Sequence, residues 1–431
     1  MTRPGSCERS AGERVRGASH AGGPGPRIVR ALALLSLLVV ASGCSSLWNA
    51  LGGDFAGEPW ELDANVSTGA KQLIAAAFEG LPEGAPVDHH VHLLTDEVHP
   101  DWLSPWHPIS HGMAMTYMDA AGVELGPELE VDYVERLTAL MHGFPREPRV
   151  FLYAMDHNHD AAGQIDAEHT TFRVANEAVV RWAREFPERF EPVVSLHPAR
   201  TDALEQLDRW AAEGVRFLKW IPASQRIDLA DEGYRAFYER LVEHDITLLC
   251  HTGAEAAIDA EHHELGNPLR LRYPLSLGVR VVALHMATTG TEPDTDDVDE
   301  PSRRAFDLLL RLLDDPAYVG QLYGEISASI FVNRDAEVLA TLLERQDLHP
   351  RLINGSDYPL CAVNVLVQTD HLADDGFLTE VQAAQLDEIY AYNPLLFDFV
   401  LKRTIVHPET GQGFAPSVFG SPFSEVGQPS L

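Results

Sequence analysis

The segment Asp88-His89-His90-Val91-His92, entered through Ala85-Pro86-Val87, carries the strongest structural signal in this chain. Successive side chains of a β-strand point to opposite faces, so His90 and His92 are expected on one face with Asp88. Two neutral imidazoles at this spacing are suited to bind one metal ion, and zinc is the ion we expect. A lone His-x-His pair is a weak signal, so the rest of the chain must supply further ligands.

Seven more apolar runs follow this segment, and helix-like stretches separate most of them. The runs are Arg149–Asp156, Phe190–His197, Val215–Ile221, Thr247–Gly253, Arg280–Ala287, Leu322–Ser329 and Leu352–Tyr358. Apolar residues at helical spacing predict helices over Asp202–Glu213, Asp231–His244, Arg303–Leu313 and Ala336–Arg345. Eight strands that alternate with helices predict an α/β protein with a parallel (β/α)8 barrel, the TIM-barrel fold.

The chemistry of such a barrel lies at the carboxyl ends of its strands. Four metal-competent side chains stand at those ends: Lys219 on the fourth strand, His251 on the fifth, His285 on the sixth and Asp357 on the eighth. Taken singly, each histidine is equally well explained as a hydrogen-bonded core residue. Four such residues together with the first-strand pair predict a metal site.

This set of residues resembles the amidohydrolase superfamily, most closely the amidohydrolase 2 type, which also contains decarboxylases. The motifs are Asp88-x-His90-x-His92, Phe217-Leu218-Lys219-Trp220, Cys250-His251-Thr252-Gly253, Ala283-Leu284-His285 and Gly355-Ser356-Asp357-Tyr358-Pro359. The resemblance covers about residues 85–402 and implies a metal-dependent hydrolase. Many members of that branch use one metal and need no fourth-strand lysine, so Lys219 points toward the two-metal members.

Ligand chemistry and the resemblance together give an expected mechanism. One divalent cation is expected between His90, His92 and Asp357, while His251 and His285 hold a second ion or position water and substrate. A bound cation lowers the pKa of its water toward about 7, which gives hydroxide at neutral pH. Asp357 is then expected to act as the base that takes the proton.

Lys219 has two interpretations. The resemblance implies that its amine reacts with carbon dioxide, giving a carbamate that bridges two ions. That reaction requires an uncharged amine, which burial beside cations favours. The alternative is an ordinary ion-paired lysine or a substrate anchor.

Four further residues are predicted to contact the substrate or to support the ligands. His157 lies just past the second strand, and His197 ends the third, so both are candidates for the pocket lining. Glu255 is placed to hydrogen-bond a ligand histidine. Arg270 is a candidate for holding a substrate carboxylate, although such arginines often form surface ion pairs.

The net charge of the chain argues against two classes of binding partner. The chain has 431 residues, enough for one large barrel with flanking segments, and a net charge of −33. That charge argues against nucleic acid and anionic lipid as partners, and leaves a small molecule as the expected substrate. The acidic stretch Thr291–Glu300 is expected to be a solvated loop. Cys250 and Cys361 belong to strands that are not neighbours, so no disulfide is expected between them.

The amino-terminal segment predicts the location. Arg27 and Arg30 precede an apolar stretch that is too short to span a bilayer. It ends in Ala41-Ser42-Gly43-Cys44, which resembles the lipobox of bacterial lipoproteins. Cleavage before Cys44 and acylation of its thiol would give a protein of the bacterial cell envelope, attached to the membrane only by lipid. A plain cleavable signal peptide is the alternative.

Four segments are therefore expected. They are a signal peptide (1–43), a tether with a helix near Thr68–Phe78 (44–84), the metal-dependent barrel (85–402) and a tail that flaps over the barrel (403–431). The expected function is hydrolysis of a small ester, lactone, amide or phosphoester by metal-activated hydroxide. The alternatives are a non-oxidative decarboxylase and a lipid-anchored binding protein without catalysis.

Overall fold

The computed structural model describes residues 51–423, apart from positions 54, 105, 256, 259 and 298. The predicted signal peptide and Cys44 lie outside the described residues. Within the described part, no helix is both long enough and apolar enough to cross a membrane.

Eight strands of the described chain form one parallel sheet, and two more form a separate hairpin. The strands are β1 (Val87–His92), β2 (Arg149–Tyr153), β3 (Phe190–Val194), β4 (Phe217–Trp220), β5 (Thr247–His251), β6 (Val281–Leu284), β7 (Thr291–Pro293), β8 (Ser302–Arg304), β9 (Leu322–Glu325) and β10 (Leu352–Ile353). The large sheet runs β1-β2-β3-β4-β5-β6-β9-β10. The two end strands meet where Val91 forms a parallel bridge with Tyr358. The predicted eight-stranded barrel is therefore confirmed.

Fifteen α-helices of the described chain surround the barrel and its loops. They are α1 (Leu62–Asn65), α2 (Thr68–Ala77), α3 (Pro100–Leu103), α4 (Pro108–Ala121), α5 (Leu129–His142), α6 (Asn176–Glu185), α7 (Ala203–Ala212), α8 (Pro222–Gln225), α9 (Arg235–Glu243), α10 (Arg272–Ser276), α11 (Ala305–Asp314), α12 (Ala336–Glu344), α13 (Thr369–Asp374), α14 (Glu380–Tyr390) and α15 (Pro394–Thr404). The predicted helices agree with α2, α7, α9, α11 and α12 to within a few residues.

Alternation along each strand separates the interior of the barrel from the layer beneath the helices. On β4, Phe217 belongs to the inner apolar cluster, whereas Leu218 and Trp220 belong to the outer cluster against the helices. Lys219 has the same inward parity as Phe217 and lies nearer the carboxyl end of the strand. The strand register alone therefore directs the lysine side chain toward the upper interior of the barrel.

The carboxyl-terminal tail closes the opposite end of the barrel. The Phe423 ring lies 5.5 Å from that of Phe217 and 5.3 Å from that of Tyr323, both near the amino ends of their strands. Ser421 Oγ lies 3.1 Å from His89 Nε2. The tail was expected as a flap over the barrel, and its described part covers this end, the floor of the barrel. The aromatic Phe423 is buried there by the apolar inner cluster.

The acidic stretch Thr291–Glu300 is more structured than expected. Part of it forms β7, which pairs with β8 in an antiparallel hairpin. Asp294 accepts hydrogen bonds from Arg303 Nε at 3.1 Å and from an Arg311 nitrogen at 2.6 Å, and Asp296 pairs with Arg272. Most of the described residues of this stretch are exposed, as expected of a solvated loop, but Glu292 and Asp294 are buried, and arginines from distant positions pair with Asp294.

The two cysteines of the barrel, Cys250 and Cys361, are both buried and free. This confirms the expectation that they do not form a disulfide. Burial raises the pKa of each thiol above its usual value, so both are expected to be unreactive toward solvent reagents.

Candidate metal centre

The six predicted metal-site residues converge at the carboxyl end of the barrel. His90 and His92 come from β1, Lys219 from β4 and His251 from β5. His285 directly follows β6, and Asp357 lies in the loop four residues after β10. His285 and Asp357 both adopt positive φ, +61° and +58°. Non-glycine residues rarely adopt this conformation, and it clusters at functional sites.

Three acceptor atoms form the tightest part of the cluster. His90 Nε2 lies 3.2 Å from His92 Nε2 and 3.3 Å from Asp357 Oδ1, and His92 Nε2 lies 3.2 Å from the same oxygen. Asp357 Oδ1 is buried and has no hydrogen-bond partner. Bringing such atoms together in a dry site is unfavourable unless a cation lies between them. The residues present therefore fit a divalent metal ion.

Hydrogen bonds at Nδ1 prepare three of the histidines as ligands. His90 Nδ1 lies 3.2 Å from Glu325 Oε2, and His251 Nδ1 lies 3.2 Å from Glu255 Oε2. Each ring donates a hydrogen bond from its Nδ1–H group to the carboxylate, which leaves Nε2 with a free lone pair. His251 Nε2 is buried and has no hydrogen-bond partner, which leaves its lone pair free to bind a metal ion.

His285 is held in the same way through a hydroxyl group. Ser327 Oγ donates to Glu325 Oε2 at 2.7 Å and accepts from His285 Nδ1 at 2.8 Å. The backbone N–H of His285 also donates to Glu325 Oε2, at 3.2 Å. The lone pairs of Glu325 are thus used by His90, His285 and Ser327. We interpret Glu325 as a residue that orients the ligands rather than as a ligand.

Burial sets the charge states of the cluster. It lowers the pKa of His90 and of His285 well below the usual value, and the nearby Lys219 ammonium lowers both further. Both imidazoles are therefore neutral at physiological pH, which is the form that binds metal. Burial also lowers the pKa of Lys219 to about 8, so its amine gives up its proton more easily than an ordinary lysine, although most of it remains charged at neutral pH.

Lys219 Nζ reaches the first cluster directly. It lies 3.3 Å from His90 Nε2 and 4.7 Å from the centre of the Tyr153 ring. The Tyr153 ring stacks on His90 with centroids 4.7 Å apart, and its hydroxyl donates to the backbone carbonyl of His89. Tyr153 thus fixes both the imidazole and the amine from the β2 side.

A cavity of about 500 Å³ opens above the cluster, and its walls are mainly apolar. The apolar lining includes Leu94, Trp102, Met113, Tyr117, Phe172 and Phe331. Glu255 also lines it, as predicted, and so does Arg334. Burial lowers the pKa of Arg334 to about 10. An arginine in an apolar cavity is suited to bind an anionic group of a ligand.

The other three predicted substrate contacts do not line this cavity. His197 Nε2 donates to the Gln225 carbonyl at 2.9 Å and its Nδ1 accepts from the Ala199 amide, so the ring is a satisfied structural residue. Arg270 pairs with Asp228 at 2.6 Å.

His157 completes this set of three, and it is half-buried on the loop after β2. Its ring Nδ1 has no hydrogen-bond partner, and its backbone N–H donates to the carboxylate of Asp156. The geometry thus gives no support to substrate binding by His157, His197 or Arg270. The side chains that line the pocket come from α3, α4 and other loops.

Sequence reasoning missed Glu325, Ser327, Tyr153 and Arg334. Glu325 had a usable signal, because an acidic residue at the end of an apolar strand run requires a partner. Tyr153 and Ser327 look like ordinary core and turn residues in the sequence. Arg334 lies in the loop after β9, and loop sequence does not reveal which side chains turn inward.

The model of the amidohydrolase family matches residues 87–397, which is most of the chain. Among curated proteins, no sequence matches this chain. Fold and site together define a barrel enzyme with a candidate metal centre of histidine and carboxylate ligands. The chain belongs to the amidohydrolase family and is a metal-dependent, hydrolase-type enzyme. Members of this family usually bind a divalent metal ion and act on small molecules.

Several solved structures are similar to this chain at low identity. A TIM-barrel protein of Bordetella bronchiseptica is 16% identical, covers 64% of this chain and 87% of its own, and has a TM-score of 0.44. A Pseudomonas putida protein assigned as a 2-pyrone-4,6-dicarboxylic acid hydrolase is 17% identical, with 76% and 96% covered and a TM-score of 0.39. A D-hydantoinase is 10% identical, with 70% and 68% covered and a TM-score of 0.37. At these TM-scores the fold assignment rests on the strand order of the protein itself.

Gly355→Ala is expected to disturb the candidate metal centre, because Gly355 lies against both Glu325 and His90. A Cβ at Gly355 would lie 2.3 Å from Glu325 Oε1 and 2.6 Å from His90 Cβ, so one of them must move. We expect a stability loss of about 1–3 kcal/mol and a roughly 10–100-fold weaker metal affinity. Denaturant titration and competition with a chromophoric chelator measure the two effects.

The matched control is Gly126→Ala, because a Cβ at Gly126 meets no atom within 4 Å. It is expected to behave as the wild type in both measurements. Wild-type metal affinity in Gly355→Ala would show that Glu325 and His90 do not depend on this close approach.

Proposed function

We propose that the protein hydrolyses a small ester, lactone, amide or phosphoester with the help of a divalent metal ion. The observation that carries this proposal is the convergence of His90 Nε2, His92 Nε2 and Asp357 Oδ1, 3.2–3.3 Å apart, below a cavity. A pocket that only bound an apolar ligand would gain nothing from buried acceptor atoms at these distances, because their desolvation is costly.

His90, His92 and Asp357 would hold the ion, and we propose zinc because neutral imidazoles and a carboxylate are its usual ligands. His251 lies beside His285, with ring centroids 4.6 Å apart, and this pair would hold a second ion or position the substrate. When bound, the cation lowers the pKa of a water molecule and polarises the carbonyl or phosphoryl group of the substrate.

Asp357 is the residue best placed to move the proton. Its Oδ1 is unpaired, and its Oδ2 lies 3.9 Å from His285 Nδ1. In the proposed reaction the water oxygen bonds to the substrate carbon or phosphorus, and Asp357 accepts the proton released. Asp357 then returns that proton to the leaving oxygen or nitrogen as the scissile bond breaks. The apolar walls of the cavity exclude competing water from this transfer.

Whether Lys219 carries a carbamate would determine how many metal ions the site holds. Its Nζ is buried 3.3 Å from His90 Nε2, so a carbamate formed on it would lie beside the first group of ligands. A carbamate would add an anionic bridge between two cations. An unmodified Lys219 would leave a single ion at the first group.

Hydrolysis is tested by product analysis on a panel of aromatic acids, lactones and esters. We expect a hydrolytic product without release of carbon dioxide, and a loss of about 10²–10⁴-fold in kcat in Asp357→Asn. Asp370→Asn, at an exposed aspartate, is the control. Stoichiometric release of carbon dioxide would instead identify a decarboxylase, and no bound metal after loading would favour a binding protein.

Lys219→Ala tests the bridge by counting metal. If the carbamate exists, the variant is expected to lose one of two ions per chain, together with most of the activity, because the shared anionic ligand is gone. Elemental analysis of purified protein gives the count, and Lys71→Ala, at an exposed lysine, serves as the control. A stoichiometry that does not change would refute the bridge and leave a mononuclear site.

The protein is further proposed to be a lipoprotein of the bacterial cell envelope, acylated at Cys44. Support comes from the lipobox-like Ala41-Ser42-Gly43-Cys44 and the short apolar stretch before it. In a Gram-negative host, Cys44→Ser is expected to move the protein from the membrane fraction to the soluble fraction. Cys7→Ser, ahead of the proposed cleavage point, should leave it on the membrane. Mass spectrometry that finds an unmodified Cys44 thiol in the wild-type protein would contradict acylation at this position.

A further inference from the structure

The mouth of the cavity carries an exposed apolar rim. Leu103, Ile109 and Leu125 line the cavity and are exposed at its edge, Ile109 with 64% of its surface. Trp106 lies between α3 and α4 and is 90% exposed. We call these four residues the lip. Several exposed apolar residues in the segments around the opening of an apolar cavity indicate an interaction surface rather than an ordinary solvated face.

The described chain begins beside this lip. Leu51 itself lines the cavity. The next two residues pack tightly on α4, since a Cβ at Gly52 would lie 2.6 Å from the Thr116 carbonyl oxygen and one at Gly53 would lie 1.9 Å from that of Asp119. The Gly53 amide also donates to the Ala362 carbonyl at 3.3 Å. The start of the described chain is thereby fixed on the mouth side of the barrel.

The distance to the proposed anchor is short. Only the run from Ser45 to Leu51 separates Cys44 from the cavity wall, and such a run spans at most about 25 Å when fully extended. Acyl chains on Cys44 would therefore keep the mouth of the barrel close to the bilayer. The floor, which the tail residue Phe423 closes, is at the far end from the anchored side.

The chemistry of the lip fits a bilayer interface. Tryptophan is enriched at the headgroup level of membranes, and isoleucine and leucine gain free energy when they leave water. Asp96, Asp101 and Glu124 flank the lip in the sequence, and the whole chain has a net charge of −33. Negative charge at this surface disfavours anionic lipid and leaves a zwitterionic headgroup layer as the suitable partner.

We propose that the lip lies in the headgroup region of a zwitterionic bilayer, so that the cavity opens onto the membrane and takes an apolar substrate from it. The orientation rests on the proposed acylation of Cys44, and the word substrate rests on the proposed hydrolase activity. The lip thus narrows the substrate class to molecules with an apolar body that dissolve in lipid and carry a hydrolysable group.

The position of the lip is measured with one label on each end of the barrel. The full-length protein, purified from membranes as Trp106→Cys or Val319→Cys, carries a nitroxide and is reconstituted in phosphatidylcholine vesicles. Val319 is a fair control, because it is 62% exposed and lies before β9 at the amino end of the barrel. Cys250 and Cys361 are buried and do not compete for the label.

We expect the label at position 106 to be accessible to oxygen and protected from a water-soluble nickel complex. The label at position 319 should show the reverse. Equal exposure of both labels to nickel would overturn the proposal. Mass spectrometry of the same samples reports acylation separately, so an acylated protein with a water-exposed label at 106 refutes the lip but not the anchor. Membrane contact of the 106 label without acylation supports the lip and refutes only the anchor.

Trp106→Ser gives a second, functional readout. Trp106 does not line the cavity, so hydrolysis of a short water-soluble ester is expected to be unchanged. Hydrolysis of a long-chain ester dissolved in phosphatidylcholine vesicles is expected to slow several-fold. Equal rates on both substrates, compared with the wild type, would contradict a role of the lip in substrate entry. If neither ester is hydrolysed by the wild type, the hydrolase proposal fails, and the label measurement still decides the lip.

Discussion

The site depends on holding three ligand-competent side-chain atoms close together at the carboxyl end of the barrel. His90 Nε2, His92 Nε2 and Asp357 Oδ1 lie 3.2–3.3 Å from one another. Such an arrangement opposes folding unless a cation binds there, because desolvated acceptors repel one another. Metal binding would therefore contribute directly to the stability of the folded barrel.

Hydrogen bonds from surrounding residues hold these candidate ligand atoms in place. Glu325 accepts hydrogen bonds from the His90 ring, the Ser327 hydroxyl and the backbone N–H of His285. One carboxylate therefore aligns candidate ligands from two strands. Gly355 permits that carboxylate to approach His90. Below them, the buried Lys402 donates to the Gly355 carbonyl at 2.6 Å and pairs with Asp398 at 2.8 Å. Helix α15 is thereby tied to the segment that delivers Asp357.

Much of the fold and the ligand set could be predicted from the sequence. Apolar runs that alternate with amphipathic helices fix the number of strands, and the parity within a strand fixes which side chains point inward. That is why His90, His92, Lys219, His251 and Asp357 were placed correctly. The local pattern is sufficient for these residues because each stands at a defined position on a regular element.

The residues that were missed or misplaced depend on tertiary contacts. Arg334 and Arg270 both lie in loops, and only the folded chain shows that the first turns into the cavity while the second pairs with Asp228. Asp294 was expected in solvent because its arginine partners are separate in the sequence. The tail was expected to cover the barrel, but its composition does not show which end Phe423 will cover.

The most direct test of this account is a crystal structure of the metal-loaded protein with anomalous scattering collected at the zinc edge. We predict a peak of anomalous scattering at about 2.0–2.2 Å from His90 Nε2, His92 Nε2 and an Asp357 oxygen. A fully loaded crystal with no anomalous peak at these three atoms, or with metal only at other positions, would contradict it.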